Sequence, residues 1–171
     1  LLAIAFFGIA AMYILKGSIK LHEPMSGVKI KRFSLFDRFV HWTMAASFLA
    51  LAFTGLLILY GKYFVMPIMG GVAYGSFLDV CKNIHNFVGP LFTICIVVFF
   101  LLFAHKNLPG KGDMAWFLSF GGIFSGKHVP AGFFNGGEKV WFWFGMTFLG
   151  LVISASGFVL DMIVPFMTIE Y

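Results

Sequence analysis

The sequence predicts an all-α integral membrane fold, a bundle of transmembrane helices, and three observations predict it. The chain is 60% hydrophobic and only 11% charged, with 24 phenylalanines in 171 residues, a composition far from that of soluble domains. Its apolar residues gather into four uncharged stretches, residues 1–15, 39–61, 83–104 and 140–160, and the last three reach the roughly 20 residues that span hydrocarbon. Inside a bilayer no water satisfies backbone N–H and C=O groups, so each stretch is a helix rather than part of an open sheet. The length of the uncharged runs excludes a soluble helical core.

The first stretch is short for a full span. Its positive charges, Lys16 and Lys20, follow the apolar run, whereas a secretory signal peptide carries them in front. The expectation is therefore a truncated transmembrane helix, with further sequence ahead of Leu1. Basic residues then set the topology. Lys16, Lys20, Lys29, Lys31, Arg32 and Arg38 precede the second stretch, and Lys106, Lys111, Lys127 and Lys139 lie between the third and fourth; only Lys62 and Lys82 lie on the other side. By the positive-inside rule both rich loops are cytoplasmic. The net charge of +5 is thus a topological signal, and nothing in it calls for nucleic acid or an acidic substrate. Two regions follow: residues 1–32, a membrane helix with a basic cytoplasmic connector, and residues 33–171, the main membrane domain.

His41 and His85 each stand about one turn inside the start of a predicted span, and those spans enter the membrane from opposite sides. Ligating side chains in a bilayer are costly and functional by default, and imidazole is a common axial ligand of haem iron. Much of a hydrocarbon core about 30 Å thick separates the two, so they predict two haem sites rather than one. Arg38 lies three residues before His41 on the same helical face, where it would hold a haem propionate through a charge-assisted pair; interfacial anchoring is the alternative for Arg38 and for Trp42. Gly89, one turn after His85, leaves a gap for a flat macrocycle, with close helix packing an equally good explanation. Gly55 follows His41 by 14 residues, about 21 Å and nearly four whole turns, which places it on the His41 face at the depth of His85.

Other residues carry less. Cys81 and Cys95 are isolated, with no Cys-x-x-Cys-His run for covalent haem, and read as packing residues. His22 and His128 fall in polar loops and read as solvated. His105 ends the 83–104 stretch at the depth of His41, and is a minor alternative as a second ligand there. The run Trp141-Phe142-Trp143-Phe144 reads as an interfacial belt facing lipid. No zinc cluster, phosphate-binding glycine loop or nucleophile motif is present.

Taken together, Phe36-Asp37-Arg38 with His41-Trp42, Ile84-His85 with Gly89, His105-Lys106-Asn107-Leu108-Pro109 followed by Asp113, and Phe134-Asn135-Gly136-Gly137-Glu138-Lys139 before an aromatic helix form an ordered pattern. From about Phe33 to the C-terminus the chain resembles the cytochrome b (gamma) subunit of respiratory formate dehydrogenase. The resemblance implies a four-helix bundle in the bacterial inner membrane holding two haem b groups. It also implies a periplasmic iron–sulfur subunit and a catalytic dehydrogenase subunit as partners, and menaquinone or ubiquinone as acceptor near the cytoplasmic face. Asn135 and Gly137 would then belong to the quinone pocket, glycine for close backbone approach and Asn135 as donor and acceptor; the residues alone leave helix capping by Asn135 as good an account.

The sequence departs from the pattern in three places. The helix that in the family supplies the second axial histidine to each haem is absent from this chain, and the expectation is a further helix beyond Tyr171 carrying two histidines about 14 residues apart. The segment before Phe33 has no counterpart in the short members, and Glu138 stands where the family often has glutamine. Two alternatives stay open at this point: the cytochrome b subunit of a membrane-bound nickel–iron hydrogenase or other anaerobic reductase, and a haem-free membrane anchor or assembly protein.

Overall fold

The computed structural model describes residues 2–17, 27, 31–123 and 129–160; His22 and His128, with Lys20, Lys29 and Lys127, lie outside the described residues. The chain divides into two compact units, Leu1–Lys31 and Arg32–Tyr171. In the first, α1 (Leu2–Lys16) is a 15-residue apolar helix that stops at Gly17, whose φ of +70° suits glycine.

The second unit holds α2 (Leu35–Phe64), the single turn α3 (Met66–Met69), α4 (Gly71–Phe103), the short α5 (Asp113–Leu118) and α6 (Gly136–Val140). The last of these continues through a π-helical segment, Trp141–Phe148, into α7 (Leu149–Leu160). No strand occurs among the described residues. Three helical stretches, Leu35–Phe64, Gly71–Asn107 and Gly136–Leu160, are long and apolar enough to cross a membrane.

All three outrun the apolar stretches that announce them. Hydropathy marks the part of a helix that sits in hydrocarbon, while backbone hydrogen bonding continues until a capping signal ends it. For α2 that signal is a capping box: the Ser34 hydroxyl accepts from the Asp37 N–H at 3.0 Å, and the Ser34 N–H donates to the Asp37 carboxylate at 2.7 Å. For α4 it is Gly70, whose φ of +79° turns the chain after α3. Asp79, Lys82 and Asn83 are therefore exposed helical residues rather than a loop. His85 lies 14 residues beyond Gly71, deep in α4 and not one turn from its start.

Where these helices meet is decided by size. The buried residues of α2 are Val40, Ser47, Thr54 and Gly61, one in every seven, and α4 answers with Tyr74, Cys81 and Cys95 on the same spacing, joined by Phe92, Ile96 and Phe103. Seven-residue spacing keeps one seam facing a partner helix, and small side chains let backbones approach where lipid removes any hydrophobic drive to associate. Tyr74 packs on Gly61, its hydroxyl donating to the Leu57 carbonyl at 3.3 Å, and a Cβ on Gly61 would lie 2.8 Å from that hydroxyl. Further contacts set Thr54 beside His85, Phe48 beside Phe92, His41 beside Phe99 and Phe33 beside Phe103, so α2 and α4 run antiparallel. The third spanning stretch joins α4 through the stacked Phe100 and Phe142 rings, 6.2 Å apart, and through Gly150, where a Cβ would meet Ile96 at 2.8 Å. Large apolar side chains such as Phe53, Leu56, Phe87 and Leu101 are left exposed, the surface of a bundle whose solvent is hydrocarbon.

At the end of the unit that holds Phe33, polar contacts tie the connections together. Arg32 donates to the Phe133 carbonyl at 2.5 Å and stands 3.8 Å from the Glu138 carboxylate, with its guanidinium over the Phe33, Phe133 and Phe134 rings. Lys139 pairs with both Asp113 oxygens at 2.9 and 2.8 Å, and the Gly110 N–H donates to the same carboxylate at 2.7 Å. The Lys139 ammonium first, and the Gly110 N–H second, hold the Asp113 carboxyl below its usual range.

Candidate functional site

Among the cavities of the second unit, one opens beside each of the two histidines. The antiparallel pairing puts His41 level with Phe99 and His85 level with Thr54. Thirteen residues of α2 separate those levels, about 20 Å of helix rise.

The His85 cavity, about 320 Å³, is lined by side chains of α2, α4 and α7, among them Phe48, Phe92, Thr93, Ser154 and Phe158, and by Gly89 and Gly157. A Cβ at either glycine would meet nothing within 4 Å, so two helices present bare backbone to open space beside the imidazole. The Ser154 hydroxyl is buried there and finds no hydrogen-bond partner among the described residues. An apolar slot flanked by an imidazole and bare glycine backbone fits a flat macrocycle with a central metal. Gly55 lies at the depth of His85, as its spacing suggests, but against the imidazole rather than against the cavity. A Cβ on it would lie 3.3 Å from His85 Cε1, so the space it leaves is filled by the His85 ring. On the side of Nδ1, the Thr54 hydroxyl lies 2.8 Å away.

The His41 cavity, about 420 Å³, is lined by Met44, Phe99, Phe142, Met146, Asn107, Gly137 and Glu138 among others. Asn107 is only 2% exposed. Its Nδ2 donates to the Phe103 carbonyl at 3.0 Å and its own carbonyl accepts from Trp143 Nε1 at 2.9 Å, while Oδ1 has no partner among the described residues. Because a carbonyl can only accept, the Phe103 contact fixes the amide orientation and leaves Oδ1 as an acceptor awaiting a donor.

Arg38 shares the His41 helix one turn earlier, but it is exposed and does not line the cavity. His105 is exposed on the 3-10 turn Ala104–Asn107 and likewise stays out of it. Asn135 caps the third spanning helix: its Oδ1 accepts from the Glu138 N–H at 2.9 Å, and the Asn135 N–H donates to the Glu138 carboxylate at 2.8 Å. Glutamine performs that reciprocal role as well as glutamate, which accounts for either residue at position 138. Gly137 lies under the Trp116 indole, where a Cβ would come within 2.5 Å, so its lack of a side chain serves this packing as well as the cavity wall.

The aromatic run departs from a simple belt. Trp141 and Phe144 are exposed, but Phe142 is 4% exposed against Phe100, and Trp143 reaches Asn107. The segment is π-helical, and its wider turn reassigns which residues face inward. Cys81 and Cys95 are buried free thiols, as packing residues should be. Thr54 and Asn107 were not legible as site residues, since a lone Thr or Asn in an apolar run carries no periodic signal; only the His105–Pro109 motif marked the neighbourhood of Asn107.

The chain is similar to cytochrome b556 subunits of formate dehydrogenases. It is 26% identical over 140 residues to the nitrate-inducible formate dehydrogenase cytochrome b556(Fdn) subunit of Escherichia coli (strain K12), covering 77% of this chain and 59% of the relative. To the formate dehydrogenase cytochrome b556(fdo) subunit of the same strain it is 29% identical over 129 residues, covering 74% and 58%. To the formate dehydrogenase cytochrome b556 subunit of Haemophilus influenzae (strain ATCC 51907 / DSM 11121 / KW20 / Rd) it is 27% identical over 124 residues, covering 71% and 50%. The matched part is thus between half and three-fifths of each relative's length. The family model for prokaryotic cytochrome b561 matches residues 32–169, a range that takes in both histidines, both cavities and all three spanning helices, and the chain therefore belongs to the prokaryotic cytochrome b561 family.

Proposed function

We propose that the chain is the haem b membrane electron-transfer part of a formate dehydrogenase, with one haem at His85, a second at His41, and a quinone as acceptor at the His41 end. The observation that carries the reading is the pairing of two histidines with two separate apolar cavities, about 20 Å apart along the bundle. Haem iron, when bound, supplies reversible one-electron chemistry at a potential tuned by ligands and surroundings. His85 and His41 each offer a ring nitrogen as ligand, Gly89 and Gly55 keep side chains away from the His85 ring and its cavity, and Arg38 is the proposed propionate partner near His41. The positive-inside rule puts the His41 end in the cytoplasm of a bacterium and the His85 end at the periplasmic face of the inner membrane, where an iron–sulfur subunit and the catalytic dehydrogenase subunit would dock.

For the acceptor, menaquinone or ubiquinone, the His41 cavity supplies complementary groups. The Asn107 Oδ1 acceptor suits a hydroquinone hydroxyl, the product of quinone reduction. Asn135 does not line this cavity and has its Oδ1 committed to the cap; its Nδ2 is the donor proposed for a quinone carbonyl reaching past Gly137 at the cavity wall. A pyridine haemochrome assay on the full-length protein isolated with its partners is expected to give two haem b per copy, His85→Ala losing one and leaving the other. One haem or none in the intact protein would overturn the reading.

A further inference from the structure

Thr54 is 4% exposed and sits at the third step of the seven-residue seam of α2, where it touches α4. Its hydroxyl lies 2.8 Å from the Ala50 carbonyl, 3.3 Å from the Leu51 carbonyl and 2.8 Å from His85 Nδ1. A hydroxyl has one proton to give and lone pairs to receive. Carbonyl oxygens only accept, so the proton goes to the helix backbone, chiefly to Ala50, as threonine does when it bonds back to the preceding turn. If it went to His85 instead, two oxygen–oxygen contacts would face each other with no proton between them. The third contact is therefore His85 Nδ1–H donating to Thr54 Oγ1. His85 makes no other hydrogen bond among the described residues, so its Nε2 lone pair is left for a ligand.

We propose that Thr54 is the positioning residue of His85: by accepting from Nδ1–H it holds the imidazole in the tautomer that offers Nε2 to iron, while Gly55 leaves room for Cε1. This rests on the reading of His85 as a haem ligand. Metal-bound histidines almost always donate their other ring N–H to an outer partner, which sets tautomer, ring orientation and basicity. Here a threonine supplies it from the neighbouring helix, so the same seam that joins α2 to α4 also orients the ligand.

The test uses the full-length protein purified with its partner subunits. Thr54→Val keeps the shape and removes the hydroxyl; Thr54→Ser restores it. The Val variant is expected to bind the haem at His85 about tenfold less tightly, the lower end of what losing an outer partner costs. The remaining haem at that site should show altered low-spin electron paramagnetic resonance g-values and a shifted midpoint potential, with the signals of the other haem unchanged. The Ser variant should match the wild type. Val indistinguishable from wild type, or Ser behaving like Val, would overturn the proposal. If Val does not reach the membrane, Thr54→Cys replaces it: a shift with Cys supports the hydroxyl's role, and wild-type behaviour overturns it. His85→Ala run in parallel separates the two levels, since unchanged haem content there would remove the ligand assignment itself.

Discussion

A buried acceptor without a donor is costly in any solvent, and in a membrane there is little water to relieve it. Asn107 Oδ1 is in that position beside the His41 cavity, with its amide orientation fixed by the Phe103 carbonyl. Asn135, at the start of the third spanning helix, has its carboxamide oxygen already used by the cap. The two asparagines should therefore separate in function. Asn107→Leu is expected to slow quinone reduction while formate still reduces the haems at the normal rate, measured by stopped-flow absorbance with and without added quinone. Asn135→Leu should also weaken the helix cap, a loss of about 1 kcal/mol that appears as a lowered thermal midpoint. Equal loss of haem in the Asn107 variant would assign that residue to folding instead.

At the level of elements, the connection from α4 to α6 combines aromatic packing of Trp116 and Phe117 on Gly136 and Gly137 with an ion pair. Lys139 and Asp113 bring the start of the third spanning helix onto the loop that begins at Gly110. A carboxyl whose folded pKa is depressed adds stability above its unfolded value and loses it as pH falls through the folded one. The tie is thus intact at neutral pH and released only in acid, below the ordinary carboxylate range near about 4. Asp113→Asn is expected to lower the thermal midpoint by a few degrees at pH 7, with the gap to wild type closing as the buffer is taken below that range. A gap independent of pH would mean that shape, not charge, supports the loop. The π-helical turn belongs to this scale too, because it places Phe142 and Trp143 inward while Trp141 and Phe144 look out.

For the whole molecule, orientation is a matter of where the cations lie. In the second unit Arg32, Lys106, Lys111 and Lys139 share one end with His41, and Lys62 shares the other with Gly61 and Tyr74. In a background with Cys81 and Cys95 replaced by serine, Lys62→Cys should react with a membrane-impermeant maleimide in intact spheroplasts. Lys111→Cys should react only after lysis. The reverse pattern would invert the proposed path, placing the His85 site beside the cytoplasm.

The sequence by itself determined the class of fold, the three spanning helices and the two histidines at different depths. Each of those follows from a residue's own preference for hydrocarbon or water, which needs no partner to be expressed. Helix ends came less well, because hydropathy stops at the interface while α2 and α4 run on to Ser34 and Gly70. Only the tertiary structure decided which faces meet. In a helix that is apolar all round, burial leaves no hydrophobic contrast to read, and the seam is chosen by size and shape: Ser47, Thr54 and Gly61 against Tyr74, Cys81 and Cys95. That choice brings the Thr54 hydroxyl to His85 and the Asn107 amide to the His41 cavity, since a hydrogen bond between helices depends on rotation and register, and packing alone sets both.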